Sequence, residues 1–135
     1  MPGDFTFKKD LGFVLTRFWG LVSDPDFTGV YAALLSDAQF EPGMSEISDL
    51  RLVTSSRVSA AALNQVAGMT KSKLVSANTS SRTVIVAPRT LPFGLSRMYE
   101  GLASSGPQEV RVFRTLQGAA DSLNLRPADL ERILA

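Results

Sequence analysis

Asp49, Arg51, Arg89 and Arg114 are the residues of this chain whose types and spacing come nearest to a reactive or ligand-binding set. Each lies at or just past the end of an apolar stretch. In an open α/β sheet that is where ligands collect. Arg51, Arg89 and Arg114 suit an anion, gripped by planar guanidinium forks and helped by free helix N–H groups. The plainer alternative is three solvated arginines. Thr54, Ser55, Ser56 and Ser59 supply hydroxyls that would line a pocket or accept a modification, or else cap a helix. Asp49 suits a general base or ligand group, or else accepts backbone or arginine hydrogen bonds. Asp24 and Asp26 form an acidic pair that would suit a cation but is better explained by the helix macrodipole. Trp19, Phe93 and Tyr99 suit an apolar ligand box, or else core or a subunit contact.

What is missing narrows the chemistry. The chain has no histidine and no cysteine. Ordinary zinc sites, serine–histidine and cysteine–histidine pairs, and disulfides are therefore out of reach. General acid–base catalysis most often recruits histidine, so the chain reads as a non-enzyme. Asp49 with Arg51 or Arg89 is the pairing that would have to carry any reaction. There is no Gly-rich dinucleotide fingerprint and no Walker A lysine, so no nucleotide cofactor is expected, and no metal site either. The 14 basic and 13 acidic residues leave a net charge of +1, which argues against a nucleic-acid partner. No apolar run approaches the roughly 18 residues of a membrane span. The start, MPGDFTFKKD, lacks a signal-peptide pattern. A cytoplasmic protein is the expectation.

The elements that must position these residues are readable. Hydrophobic residues make up 44% of 135 residues, enough for one domain, 1–135, with a true core. Residues 4–8 alternate Phe5 and Phe7 with polar neighbours, a half-buried strand. Residues 13–19 follow closely enough to form an antiparallel hairpin. Ser23 with Asp26 makes a capping box, and Phe27, Val30, Tyr31, Leu34 and Leu35 mark one face of a helix. Residues 46–53 read as a third strand and 54–56 as a polar turn. Val58, Ala61, Ala62, Val66 and Met69 mark a second helix, and 75–81 is an unassigned connection. Residues 82–114 read as strand, helix, strand: Thr83 to Ala87, a helix with Leu95, Met98, Tyr99 and Leu102 on one face, then Val110 to Phe113. Such a crossover joins parallel neighbours. Thr115 caps a helix carrying Leu116, Ala119, Ala120 and Leu123, and Pro127 opens a short last one. The order β-β-α-β-α-β-α-β-α-α gives an α/β sandwich. Its mixed, mostly parallel sheet has about five strands, the first antiparallel and at an edge.

Four segments carry a family resemblance: FWGLVSDPDF, DAQFEPGMSEISDLRLVT, VIVAPRTLPFGLSRMYEGLA and EVRVFRTLQGAADSL. They resemble the SpoIIAA-like family, related to the STAS domain of anti-sigma-factor antagonists and more distantly to the Sec14 lipid-transfer fold. The resemblance implies the same strand and helix order. In STAS antagonists a partner kinase phosphorylates a serine at the start of the helix after the "DL" strand. Here Asp49-Leu50 matches that strand, but the expected D-S-S falls over Arg57-Val58-Ser59, so neither acid nor serine is in register.

The leading expectation is a non-enzymatic interaction or regulatory module, with a protein partner on the surface of Thr54, Ser55, Ser56 and the helix that follows. The alternative is a carrier of a small apolar or anionic ligand, as the Sec14 likeness implies, its pocket between the sheet and the helix over 93–102. A homodimer through the edge strand is a further possibility of the pattern, which Lys8 and Lys9 would oppose.

Overall fold

The computed structural model describes residues 2–135. Strands β1 (Gly3–Lys8) and β2 (Phe13–Val22) form the expected hairpin, joined by one 3₁₀ turn at Lys9–Leu11. Gly12 closes it at φ 74°, a left-handed conformation that glycine adopts without penalty. Helix α1 (Asp24–Ser36) follows, then β3 (Ser45–Ser56), α2 (Ala60–Ser76), β4 (Ser81–Val86), α3 (Thr90–Ala103), β5 (Gln108–Phe113), α4 (Leu116–Ser122) and α5 (Pro127–Leu134). The sheet runs β1-β2-β3-β4-β5. β1 pairs antiparallel with β2 at one edge, and the other neighbours are parallel.

The sequential order has a simple consequence. Crossovers of one hand, each moving to the next strand, leave their helices on the same side of the sheet. Accordingly α1 packs on α2 and α2 on α3. Through Val30, Tyr31 and Val66 of α1 and α2, among others, they cover Phe18, Ile85 and Val110 on one face of the sheet. α4 and α5 cover Leu15, Ile47, Val84 and Val86 on the other. The second half of β4, Val84 to Val86, is covered on both faces and reads as continuously apolar for that reason.

The helix termini follow their sequence signals. At α1, Ser23 and Asp26 form the capping box and Pro25 sits in the first turn. At α4 the Thr115 hydroxyl accepts from the Gly118 N–H.

Four expectations need correction. Residues 54–56 are not a turn: they extend β3, held by pairing of Leu21 with Ser55 and Val22 with Ser56. β2 accordingly runs on to Val22. The segment 75–81 resolves into the last turn of α2, a left-handed Asn78 at φ 51°, and the start of β4. α2 starts at Ala60 and buries Ala62, Leu63, Val66, Thr70 and Leu74, while Ala61 is exposed. α3 buries Pro92, Ser96, Tyr99 and Ala103, whereas Met98 and Leu102 are 45% and 41% exposed. Apolar residues lie on two adjacent stripes of that helix, so periodicity alone does not choose between them. Tyr99, whose hydroxyl finds a partner in the sheet, and the small Ser96 and Ala103 take the inner stripe.

Candidate functional site

Beneath α1–α3 the sheet presents a row of polar side chains. Thr16 of β2, Glu46 and Ser48 of β3, Thr83 of β4 and Gln108 of β5 all point to this face, and all are buried. Glu46 is at the centre and only 8% exposed. Its Oε2 accepts from the Thr16 hydroxyl at 2.7 Å and the Tyr31 hydroxyl at 2.6 Å. Its Oε1 accepts from the Thr83 hydroxyl at 3.3 Å. Gln108 donates through Nε2 to Thr83 Oγ1 at 3.0 Å and accepts from the Tyr99 hydroxyl at 3.0 Å. One chain of hydrogen bonds thus ties α1 to α3 across β2, β3, β4 and β5. Burial pushes the Glu46 carboxyl above its ordinary range, and the three hydroxyls pull part of that rise back. Burial and the nearby Glu46 carboxyl raise both Tyr31 and Tyr99.

Against this row, toward the carboxyl ends of the parallel strands, lies a cavity of about 70 Å³. Its walls are mostly apolar: Phe18 from β2, Phe27 from α1, Leu50 and Val53 from β3, Leu63 from α2 and Leu95 from α3. Its polar wall residues include Ser48, Ser96, Thr83, Tyr31 and Tyr99. Among the described residues lining it, none is charged.

Two bulges place the β3 residues. Arg17 pairs with Asp49 but Trp19 with Leu52, and Gly20 pairs with Val53 but Leu21 with Ser55. Each step gives β3 one extra residue, which turns later side chains to the other face. So Leu50, Val53 and Ser56 all line the cavity, and Leu52 is turned out to solvent.

The candidate residues from the sequence do not gather at one point. Of that set, Ser56 lines the cavity, and its hydroxyl accepts from the Val58 N–H at 3.2 Å. Thr54 and Ser55 are exposed on β3. Ser59 is the N-cap of α2. Its hydroxyl accepts from the Ala62 N–H at 3.1 Å and donates to Asp24 Oδ2 at 2.7 Å. Asp24 therefore ties α1 to α2 rather than only complementing its own helix. Asp49 points to the face carrying α4 and α5, where Arg51 grips it with Nε to Oδ1 at 2.9 Å and Nη2 to Oδ2 at 3.0 Å. The same guanidinium reaches Glu131 of α5 at 2.9 Å. Arg89 donates to the Val53 carbonyl at 2.9 Å. Arg114 donates to the Pro88 carbonyl and lies 4.1 Å from the centre of the Phe93 ring. The three guanidinium groups are thus each engaged separately. Of the proposed aromatic box, Tyr99 alone lines the cavity.

Sequence reasoning passed over Glu46 and its partners. The available signal was a polar residue in the middle of each inner strand, at positions that share one face: Thr16, Glu46 with Ser48, and Thr83.

No known family model matches the chain, and no curated protein does. Its fold is similar to the crystal structure of an uncharacterised DUF3478-family protein with a SpoIIAA-like fold from Shewanella loihica PV-4. The TM-score is 0.50 and the identity 17%, over 82% of this chain and 83% of that one. The chain therefore has a SpoIIAA-like α/β fold. Among the described residues no helix is long and apolar enough to cross a membrane.

Proposed function

We propose that this chain binds and carries a small, mainly apolar molecule in the cavity beneath α1–α3. The observation that carries the reading is that cavity: concave, apolar-walled, with a few convergent hydroxyls, at the carboxyl ends of the parallel strands. Those are the general attributes of a small-molecule site. A well-packed core of this size would leave few voids larger than a water molecule. The three arginines that would have recognised an anion are bound to other groups, so the apolar form of the carrier reading is favoured over the anionic one. Native mass spectrometry of the protein purified gently from its source cells tests this. A stoichiometric small adduct is expected, and it should be lost in Val53→Phe, which fills the cavity. A bare wild-type chain that also takes up no small hydrophobic probe would overturn the reading.

A regulatory interaction module is the second reading. The observation favouring it is the outer stripe of α3, where Leu91, Met98 and Leu102 are exposed. A contiguous apolar stripe of this kind suits a protein partner. The kinase switch of the STAS antagonists is left out of this reading because the expected D-S-S falls over Arg57-Val58-Ser59, with neither acid nor serine in register. Given a partner, Met98→Glu with Leu102→Glu should weaken binding at least tenfold, because a charge would enter a dry interface. Unchanged affinity would remove this surface.

A further inference from the structure

Ser48 and Ser96 are the unusual members of the cavity wall. They are only 3% and 5% exposed, and both line the cavity. Yet among the described residues neither hydroxyl finds a hydrogen-bond partner, while Thr16, Thr83, Tyr31, Tyr99 and Gln108 beside them are all bonded. Neither oxygen is among the fully enclosed polar atoms left without a partner, so both open onto the cavity, free to bond whatever fills it. Ser48 comes from the central strand and Ser96 from the helix above it, so the two converge on the same space from opposite walls.

The charge inventory is as selective. Among the described residues lining the cavity there is no cation, and the nearest buried charge-bearing group, behind Tyr31 and Thr83, is the acidic Glu46. A carboxylate or phosphate would lose its water there and gain no counter-charge. Resting on the reading of this cavity as a ligand site, we propose that its occupant is an uncharged molecule bearing one hydrogen-bonding oxygen, an alcohol or ketone, which Ser48 and Ser96 hold. Each hydroxyl both donates and accepts, so either functional group satisfies both serines.

A matched set of probes tests this: cyclohexane, cyclohexanol and cyclohexanecarboxylate, titrated at pH 7.5 into the full chain carrying labelled methyl groups, with NMR shifts read at Leu50, Val53 and Leu63. Cyclohexanol is expected to bind about tenfold more tightly than either of the others. Ser48→Ala and Ser96→Ala should each lower that preference about fivefold and leave cyclohexane binding unchanged. Thermal melts of both variants check that each is folded. If one fails to fold, the other decides. Equal binding of cyclohexane and cyclohexanol, or tightest binding of the carboxylate, would overturn the inference and leave the cavity reading standing. No shift at these methyls with any of the three would overturn both.

Discussion

The Tyr31 hydroxyl donates to Glu46 Oε2 across 2.6 Å, so a phenol from α1 and a carboxyl from β3 meet inside the protein. Burial raises the carboxyl above its ordinary range. The folded chain therefore keeps a proton that the unfolded chain releases. This contribution to stability is complete below the ordinary glutamate range and is lost as pH rises toward the folded-state value. Urea midpoints measured between pH 4 and 8 should fall for the wild type relative to Glu46→Gln, whose amide does not titrate. Parallel curves would remove Glu46 as the source.

Tyr31→Phe strips one of the three donors from the same carboxyl. Loss of a bond to a buried, ionisable partner should cost about 1.5 kcal/mol at pH 7 and less at pH 4, where the carboxyl is protonated more readily. Chemical denaturation at the two pH values checks both the size and the difference.

Ser59→Ala removes the α2 cap, at a cost of about 1 kcal/mol. It also strips the hydroxyl donor from Asp24, whose carboxyl the Ser59 hydroxyl and backbone N–H together hold below the ordinary range, and leaves the N–H in place. A depressed carboxyl stabilises above its unfolded-state value and loses that contribution as pH falls through the folded-state value. The wild type should thus show a steeper loss below pH 4 than the variant. Equal acid limbs would show the pair to be energetically idle.

Arg51→Ala leaves the Asp49 carboxylate, itself only 7% exposed, without its bidentate partner. The expected loss is about 2 kcal/mol. Glu131→Gln, at the solvent side of the same guanidinium, should cost no more than about 0.5 kcal/mol. Adding Asp49→Asn to Arg51→Ala should recover part of the larger loss in a double-mutant cycle.

Two glycines should respond oppositely to alanine. At Gly43, φ is 97° and an added Cβ would sit 3.0 Å from Thr79 Oγ1. Gly43→Ala should cost about 1–2 kcal/mol. At Gly94, inside α3, a Cβ meets nothing within 4 Å. Gly94→Ala should stabilise by about 0.5–1 kcal/mol. Thermal melts of both variants check the two signs.

The strand and helix order was legible because local signals agreed at each step. Phe5 and Phe7 alternate, Ser23 and Asp26 cap, and the β4 run is apolar because both its faces are covered. What stayed hidden depends on partners distant in the chain. Thr16 and Glu46 are 30 positions apart, and nothing local to either announces the other. Thr54, Ser55 and Ser56 resemble a turn in composition, yet the pairing with β2 holds them in a strand. Arg89 and Arg114 lie just past the ends of β4 and β5 as expected, whereas Arg51 falls in the middle of β3, which runs on to Ser56. Which face each side chain took was set by tertiary contacts: Asp49 and Glu131 for Arg51, the Val53 carbonyl for Arg89, Phe93 for Arg114.

The paired bulges of β3 act like a frameshift and its suppressor. Up to Leu50 the even-numbered residues face α1–α3. After the first bulge the phase flips and Val53 takes that side. After the second it flips back, returning Ser56 to the cavity. Each bulge absorbs one surplus residue of β3 while β2 keeps its regular alternation. Deleting the surplus residue at either bulge would restore the plain ladder and leave later side chains with their present partners and faces. A deletion from the regular stretch before the bulges has no such slack and would turn the side chains that follow it to the other face.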